Sequence, residues 1–196
     1  MSIEYYKKNA SEFAKNTLDV DMQTLYRPFL DLLPTRGRIL DAGCGAGRDA
    51  KAFAQQGYTV DAFDASSELV KIASEHCQFP VQCATFTGFQ SDKKYDGIWA
   101  CASLLHVPAK DMRSTLAYLA DFLVEHGVFY VSFKYGRDDV QRDGRLFTNC
   151  DRQRLESFLH GTGLVILSSW VNGDQRKGRS TEQWLNALLG KRLSRC

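Results

Sequence analysis

A chain of 196 residues with 44% hydrophobic and 24% charged content has enough apolar material for one full core, which excludes a disordered chain. Its net charge of +2 gives no bulk attraction to nucleic acid or to membrane surfaces, and the 12 Lys and Arg against 7 Asp and Glu from Lys134 onward read most simply as a solvated late surface. Six cysteines (Cys44, Cys77, Cys83, Cys101, Cys150 and Cys196) form no C-x-x-C pair, and no apolar leader or membrane-length apolar run is present, so a cytoplasmic protein with reduced thiols and no metal is expected.

In chain order, "YYKKNASEFAKNT" and "DMQTLYRPFLDLL" place Phe13, Leu25, Phe29 and Leu32 at helical spacing, with Pro34 ending the second segment. The period then changes. "GRILDA" is a short apolar run between breakers, "RDAKAFAQQG" a helix closed by Gly57, and "YTVDAFD" a second strand. "SSELVKIASEH" is helical, "PVQCATF" extended and "YDGIWACA" a buried strand. After Pro108, Met112, Leu116, Leu119 and Leu123 share one apolar face. "GVFYVSFKYG" is a strand, "DRQRLESFLHG" a helix capped by Asp151, and "LVILSSWV" another strand. The last segment, "EQWLNALLGKR", suits a helix or the second strand of a hairpin. Strands alternating with helices imply a parallel sheet covered on both faces, hence a doubly wound α/β fold. Residues 1–35 read as a helical cap and 36–196 as the core of one domain.

Chemistry concentrates in "ILDAGCGAGRDA", where a strand ends at Asp41 and a helix begins near Arg48. Gly43, Gly45 and Gly47 permit positive φ and a close backbone approach, and the following helix offers free N–H groups to an anionic ligand. Asp64 closes the next strand, where an acid can accept from both ribose hydroxyls or, alternatively, cap the next helix through Ser66. Together these features point to a cofactor that carries a nucleoside. "GAGRDA" also satisfies the dinucleotide form G-x-G-x-x-A, which keeps a nicotinamide-dependent oxidoreductase open. Asp41, read as lying in the mouth of the cleft, would repel a pyrophosphate and welcome an ammonium group.

These residues carry a resemblance. "ILDAGCGAGRDA", "VDAFDAS" and "YDGIWACASLLHVP" resemble three motifs of the class I S-adenosylmethionine-dependent methyltransferases, over about residues 5 to 135. The "GR" after the glycines and "LLHVP" are most similar to the tellurite-resistance and related small-molecule methyltransferases. The resemblance implies a Rossmann-like seven-stranded sheet with an antiparallel last strand, supplied here by "WLNALL". It also implies that Gly43, Gly45 and Gly47, beside Asp41, hold the methionine end of the cofactor, S-adenosyl-L-methionine. Asp64 and Ala65 would hold the ribose, Thr85 and Phe86 would flank the adenine, and Ala100 and Cys101 would meet the amino-acid end or the sulfonium. The sequence departs from the family where an acidic residue would take the adenine amino group, carrying "CATFTGF" instead.

An activated sulfonium needs alignment more than an enzyme nucleophile, and a base only when the acceptor carries a proton. "ACAS" stands where resembling enzymes of nucleic-acid amino groups carry N-P-P-Y, so the expected acceptor is a small molecule or a metalloid oxyanion, with nucleic acid disfavoured. His106 is the candidate catalytic group, as a base or positioning residue, or else a cap of the following helix. Tyr6 reads as a lid aromatic over the cofactor or as core packing. Arg48, Lys134 and Tyr135 are candidate substrate contacts, and Arg176, Lys177 and Arg179 would steer an anionic acceptor unless they are idle surface charges. Monomer and homodimer both remain open, as does a nucleoside-binding module without catalysis.

Overall fold

The structure is a computed structural model that describes residues 2–176, 178 and 181–192. Two helices, α1 (Ser2–Thr17) and α2 (Gln23–Leu30), precede β1 (Arg38–Ala42), α3 (Arg48–Gln55), β2 (Thr59–Asp64), α4 (Ser67–Cys77), the two-residue β3 (Gln82–Cys83) and β4 (Tyr95–Ala100). There follow α5 (Ala109–Ala120), β5 (Leu123–Lys134), β6 (Asp139–Arg142), β7 (Arg145–Thr148), α6 (Arg152–Leu159), β8 (Leu164–Gly173) and β9 (Gln183–Lys191).

Seven strands form one sheet in the order β3-β2-β1-β4-β5-β9-β8, the first five parallel and β9 antiparallel to both its neighbours. The α/β class and the antiparallel last strand are as expected, and the order reverses beside β1, where a ligand crevice opens in such sheets. Side chains alternate across the pleat. Leu40, Ile98, Phe129 and Val131 face α5 and α6, while Ile39, Trp99 and Tyr130 face α2 and α3 through Tyr26, Phe29 and Phe53. Each such fully buried side chain contributes about 1.5–3 kcal/mol, and Trp99 stacks on Tyr130 at 3.8 Å.

Local signals hold at several ends. Asp151 accepts from the Arg154 N–H at 2.8 Å, and Gly57 sits at φ +90° after α3. Two expectations need correction. Leu32 lies beyond the end of α2 and is 51% exposed, because the helix stops at Leu30 before the turn that leads to Pro34. The stretch 139–148 forms a separate β6–β7 hairpin that the sequence reading passed over. Asp143 and Gly144, at φ +52° and +71°, make its turn.

Candidate active site

Above the carboxyl ends of β1, β2, β4 and β5 lies a cavity of about 1020 Å³, roofed by α1 and edged by the β6–β7 hairpin. Main-chain geometry shapes one end. Gly43 N–H and Cys44 N–H both donate to the Phe63 carbonyl, at 2.9 and 3.0 Å, which ties the turn after β1 to β2. Gly45 N–H donates to Asp64 Oδ2 at 3.0 Å, and Ser66 N–H to Asp64 Oδ1 at 2.8 Å. Burial pushes the Asp64 carboxyl up, while the N–H groups of Ser66, Gly45 and Ala65 oppose that shift. Asp64 therefore organises the start of α4 and lines the cavity at the same time.

The three glycines differ in what they do. A Cβ on Gly43, at φ +76°, would meet Ser103 Cβ at 2.7 Å and Phe86 Cζ at 3.2 Å; on Gly45, at φ +57°, it would meet Phe13 of α1 at 3.0 Å. Both line the cavity. Gly47 does not, because its missing Cβ makes room for Cys77 Sγ, 2.6 Å from where that atom would stand, so it serves the packing of α3 on α4.

Asp41 requires a correction. It lies beneath the turn at 2% exposure and outside the cavity lining, so it cannot meet a ligand in the cleft mouth. Burial and the neighbouring Asp49 raise its carboxyl well above the usual range, and its Oδ2 has no partner. Asp49 is the charged member of the pair: despite burial, Arg48 beside it holds its carboxyl low. Tyr26 O–H (2.5 Å) and Arg48 Nε (2.6 Å) donate to its Oδ1, and Trp99 Nε1 (2.8 Å) to its Oδ2. Arg48 is thus a structural partner of Asp49 that also reaches the lining, rather than a surface arginine.

Among the other expected residues, Ala65, Thr85, Phe86 and Cys101 line the cavity, whereas Ala100 is fully buried behind it. Burial raises the Cys101 thiol to about 12 and pushes the Cys44 thiol well up, which disfavours the thiolate form of both. Tyr135 is 48% exposed and outside the cavity lining, and Arg176 reaches the cavity but is bound to Asp174 through both carboxylate oxygens. Lys177 and Arg179 lie outside the described residues.

Side chains shape the opposite end. His106 Nδ1 lies 2.7 Å from the Leu146 carbonyl, which can only accept, so Nδ1 carries the proton and Tyr6 O–H donates to Nε2 at 2.8 Å. His106 therefore does not cap α5, which begins after Pro108 without a side-chain cap. Burial, reinforced by the positive charges of Arg145 and Lys134, lowers the His106 pKa to about 4. Burial raises Tyr6, against an opposing hydrogen bond from Arg145. Lys134 Nζ pairs with Glu182 at 2.9 Å and sits 4.9 Å from the Phe147 ring centre. Tyr5, Arg145, Leu146, Phe147 and Trp184 complete this end and were missed from sequence; the Asp-Gly turn of the hairpin was the signal that could have found three of them.

A profile of the family described as "Methyltransferase domain" matches residues 14–185. A Ubiquinone biosynthesis O-methyltransferase of Xanthomonas axonopodis pv. citri is 30% identical over 108 residues, 52% of this chain and 44% of its own length. The chain thus spans about half the length of the curated relatives it matches. The fold is shared with a TehB-like SAM-dependent methyltransferase of Corynebacterium glutamicum (TM-score 0.71, 20% identity, 97% of this chain and 98% of that one). It is also shared with the Burkholderia thailandensis 1,6-didemethyltoxoflavin-N1-methyltransferase, solved with 1,6-didemethyltoxoflavin and S-adenosylhomocysteine (TM-score 0.69, 22% identity, 96% and 89%).

Proposed function

The chain belongs to the methyltransferase domain family, and from that premise we propose that it transfers a methyl group from S-adenosylmethionine to a small-molecule acceptor. One observation carries the reading: a single cavity is lined both by a main-chain turn with no room for Cβ atoms and by the His106–Tyr6 pair. Gly43 and Gly45 would hold the methionine end of the donor, Asp64 and Ala65 its ribose, Thr85 and Phe86 its adenine, and Cys101 would lie beside its reactive end. Asp41, Gly47 and Ala100 support this surface from behind. Bound there, S-adenosylmethionine supplies an already activated methyl group.

The protein's own task is then alignment and dryness. Phe13 and Tyr6 of α1 form the roof that excludes water. His106 is neutral near pH 7, held in one tautomer by the Leu146 carbonyl, and its Nε2 is the atom that can take a proton from an acceptor hydroxyl when that hydroxyl replaces Tyr6. The names of the relatives, which act in ubiquinone biosynthesis and on 1,6-didemethyltoxoflavin, support an acceptor of metabolite size. A cytoplasmic location belongs to the same proposal, supported by the free thiols of the five cysteines among the described residues; no helix among those residues is long and apolar enough to cross a membrane.

Thermal melts of the chain with S-adenosylhomocysteine or NADH test the donor, since a ligand of the folded state raises the melting temperature. A shift with S-adenosylhomocysteine alone is expected. A shift with NADH alone would replace the reading with a dinucleotide enzyme. Turnover on a screen of aromatic alcohols, heterocyclic amines and metalloid oxyanions then separates an enzyme from a binding module.

A further inference from the structure

Of the six basic side chains that line the cavity, Lys110 and Arg142 are exposed and three others have close carboxylates. Arg48 meets Asp49 at 2.6 Å, Lys134 meets Glu182 at 2.9 Å, and Arg176 is clamped on Asp174. Arg145, the first residue of β7, differs. Its side chain is 19% exposed and hydrogen-bonds Tyr6, its nearest carboxylate is the 60% exposed Asp143 at 3.5 Å, and its Nε is buried with no hydrogen-bond partner. A solvated carboxylate at that distance does little for a guanidinium, and a buried unpaired N–H is costly unless a ligand completes it. The Tyr5 and Phe147 ring centres lie 4.0 and 5.1 Å from Arg145 Cζ, so the guanidinium sits among aromatic rings, and its planar fork of donors matches a carboxylate.

We infer that Arg145 anchors the acceptor through a negative charge, so that the substrate class is a small organic anion, a carboxylate on a flat apolar body. The inference rests on the methyl-transfer reading for the word acceptor, and on Arg145 alone for the charge. The hairpin that carries the anchor also carries the Leu146 carbonyl that holds His106, and Arg145 and His106 line the same cavity, so one small molecule can meet both. The charged and titratable groups around His106 are Tyr6 of α1, Arg145 of β7 and Lys134 of β5, the last paired with Glu182. An anion at Arg145 would offset the two cations that, after burial, hold His106 low, and so would raise the basicity of Nε2 when the substrate is in place.

The test uses calorimetry on the full chain with benzoate, its uncharged isostere benzamide, and sulfate, each with and without S-adenosylhomocysteine. Benzoate is expected to bind about tenfold more tightly than benzamide and than sulfate. Arg145→Gln should remove the preference for benzoate, Arg145→Lys should keep part of it, and S-adenosylhomocysteine should bind both variants as it does the wild type. In NMR titrations the His106 pKa should rise on adding benzoate to the wild type and stay unchanged in Arg145→Gln. Equal affinity for benzoate and benzamide, a preference that survives Arg145→Gln, or no benzoate binding overturns the inference; sulfate binding as well as benzoate overturns the organic anion in favour of an inorganic one. Should Arg145→Gln fail to fold, the wild-type comparison and Arg145→Lys decide. Failure of S-adenosylhomocysteine to bind would sink the donor reading by itself, while the benzoate comparison without it still judges the anchor.

Discussion

At the glycine end of the cavity the turn after β1 and the Asp64 carboxylate, supplied by residues 43–66, are held to one another by hydrogen bonds of 2.8–3.0 Å. At the His106 end the lining is drawn from α1, the loop after β4, the end of β5, the β6–β7 hairpin and β9. The first end is preorganised by a strand–turn–helix whose glycines hold positive φ and whose N–H groups are tied to β2. The second depends on distant segments meeting, so its members can be exchanged without altering the sheet. Donor binding should therefore respond steeply to single changes at the first end, and acceptor choice should reside at the second.

The sharpest break is Gly45→Val. At φ +57° a β-branched residue is strained by about 1–2 kcal/mol, and its Cβ would press on Phe13 at 3.0 Å while its methyl groups filled the cradle. Calorimetry should detect no S-adenosylhomocysteine binding, with circular dichroism still native. Retained affinity would mean that the cradle is only a turn.

Asp49→Ala comes next, with an effect on stability. It leaves Arg48 largely buried without its carboxylate and strips the acceptor from Tyr26 and Trp99, so unfolding in urea should show a loss of about 3–5 kcal/mol. A loss below 1 kcal/mol would show that the layer under the glycine turn is held by apolar packing alone.

Asp64→Ala should weaken S-adenosylhomocysteine binding by about 1.5–3 kcal/mol, through the lost ribose acceptor and through the released Gly45 N–H. Unchanged affinity would remove Asp64 from the donor end.

The contrast also explains what could be read in advance. The glycine turn, Asp64 and the βαβ order were legible because they are local and the chemistry depends on backbone conformation at fixed spacing. Asp41 was misplaced because strand alternation turns it to the face under α3, a direction that depends on the sheet's register rather than on the motif. Arg145 and Phe147 were missed because a four-residue strand next to the Asp143-Gly144 turn reads as polar loop, and their partners lie apart in the chain, Tyr5 140 positions from Arg145 and Lys134 13 positions from Phe147. His106 was found by its position after β4; its tautomer and its partner Tyr6 come only from the folded chain.

Acid should expose the second end. His106 has a folded pKa of about 4 against an ordinary 6.5, so below pH 6.5 the unfolded chain takes up a proton that the folded chain refuses. Its contribution is complete above 6.5 and is lost as pH falls toward 4, by about 1.4 kcal/mol per unit and about 2 kcal/mol by pH 5. Urea midpoints at pH 7 and 5, compared between the wild type and His106→Gln, should show a shallower fall in the variant. Parallel curves would mean that His106 titrates freely and is not enclosed.

Tyr6→Phe is the smallest change and the one that best separates the two ends. It removes a single O–H donor from His106 Nε2 while keeping the ring that lies edge-on to Phe13 at 5.1 Å, so the cost in stability should be about 1 kcal/mol. Because that bond favours the neutral imidazole, its loss should let His106 titrate at a higher pH, visible in the NMR shift of its ring protons. The ring remains as the roof, and Tyr6 makes no hydrogen bond to the glycine turn or to Asp64 among the described contacts, so S-adenosylhomocysteine should bind nearly as before. If Tyr6→Phe instead weakens that ligand as much as Asp64→Ala does, the hydroxyl reaches across the cavity, and the division into a main-chain donor end and a side-chain acceptor end fails.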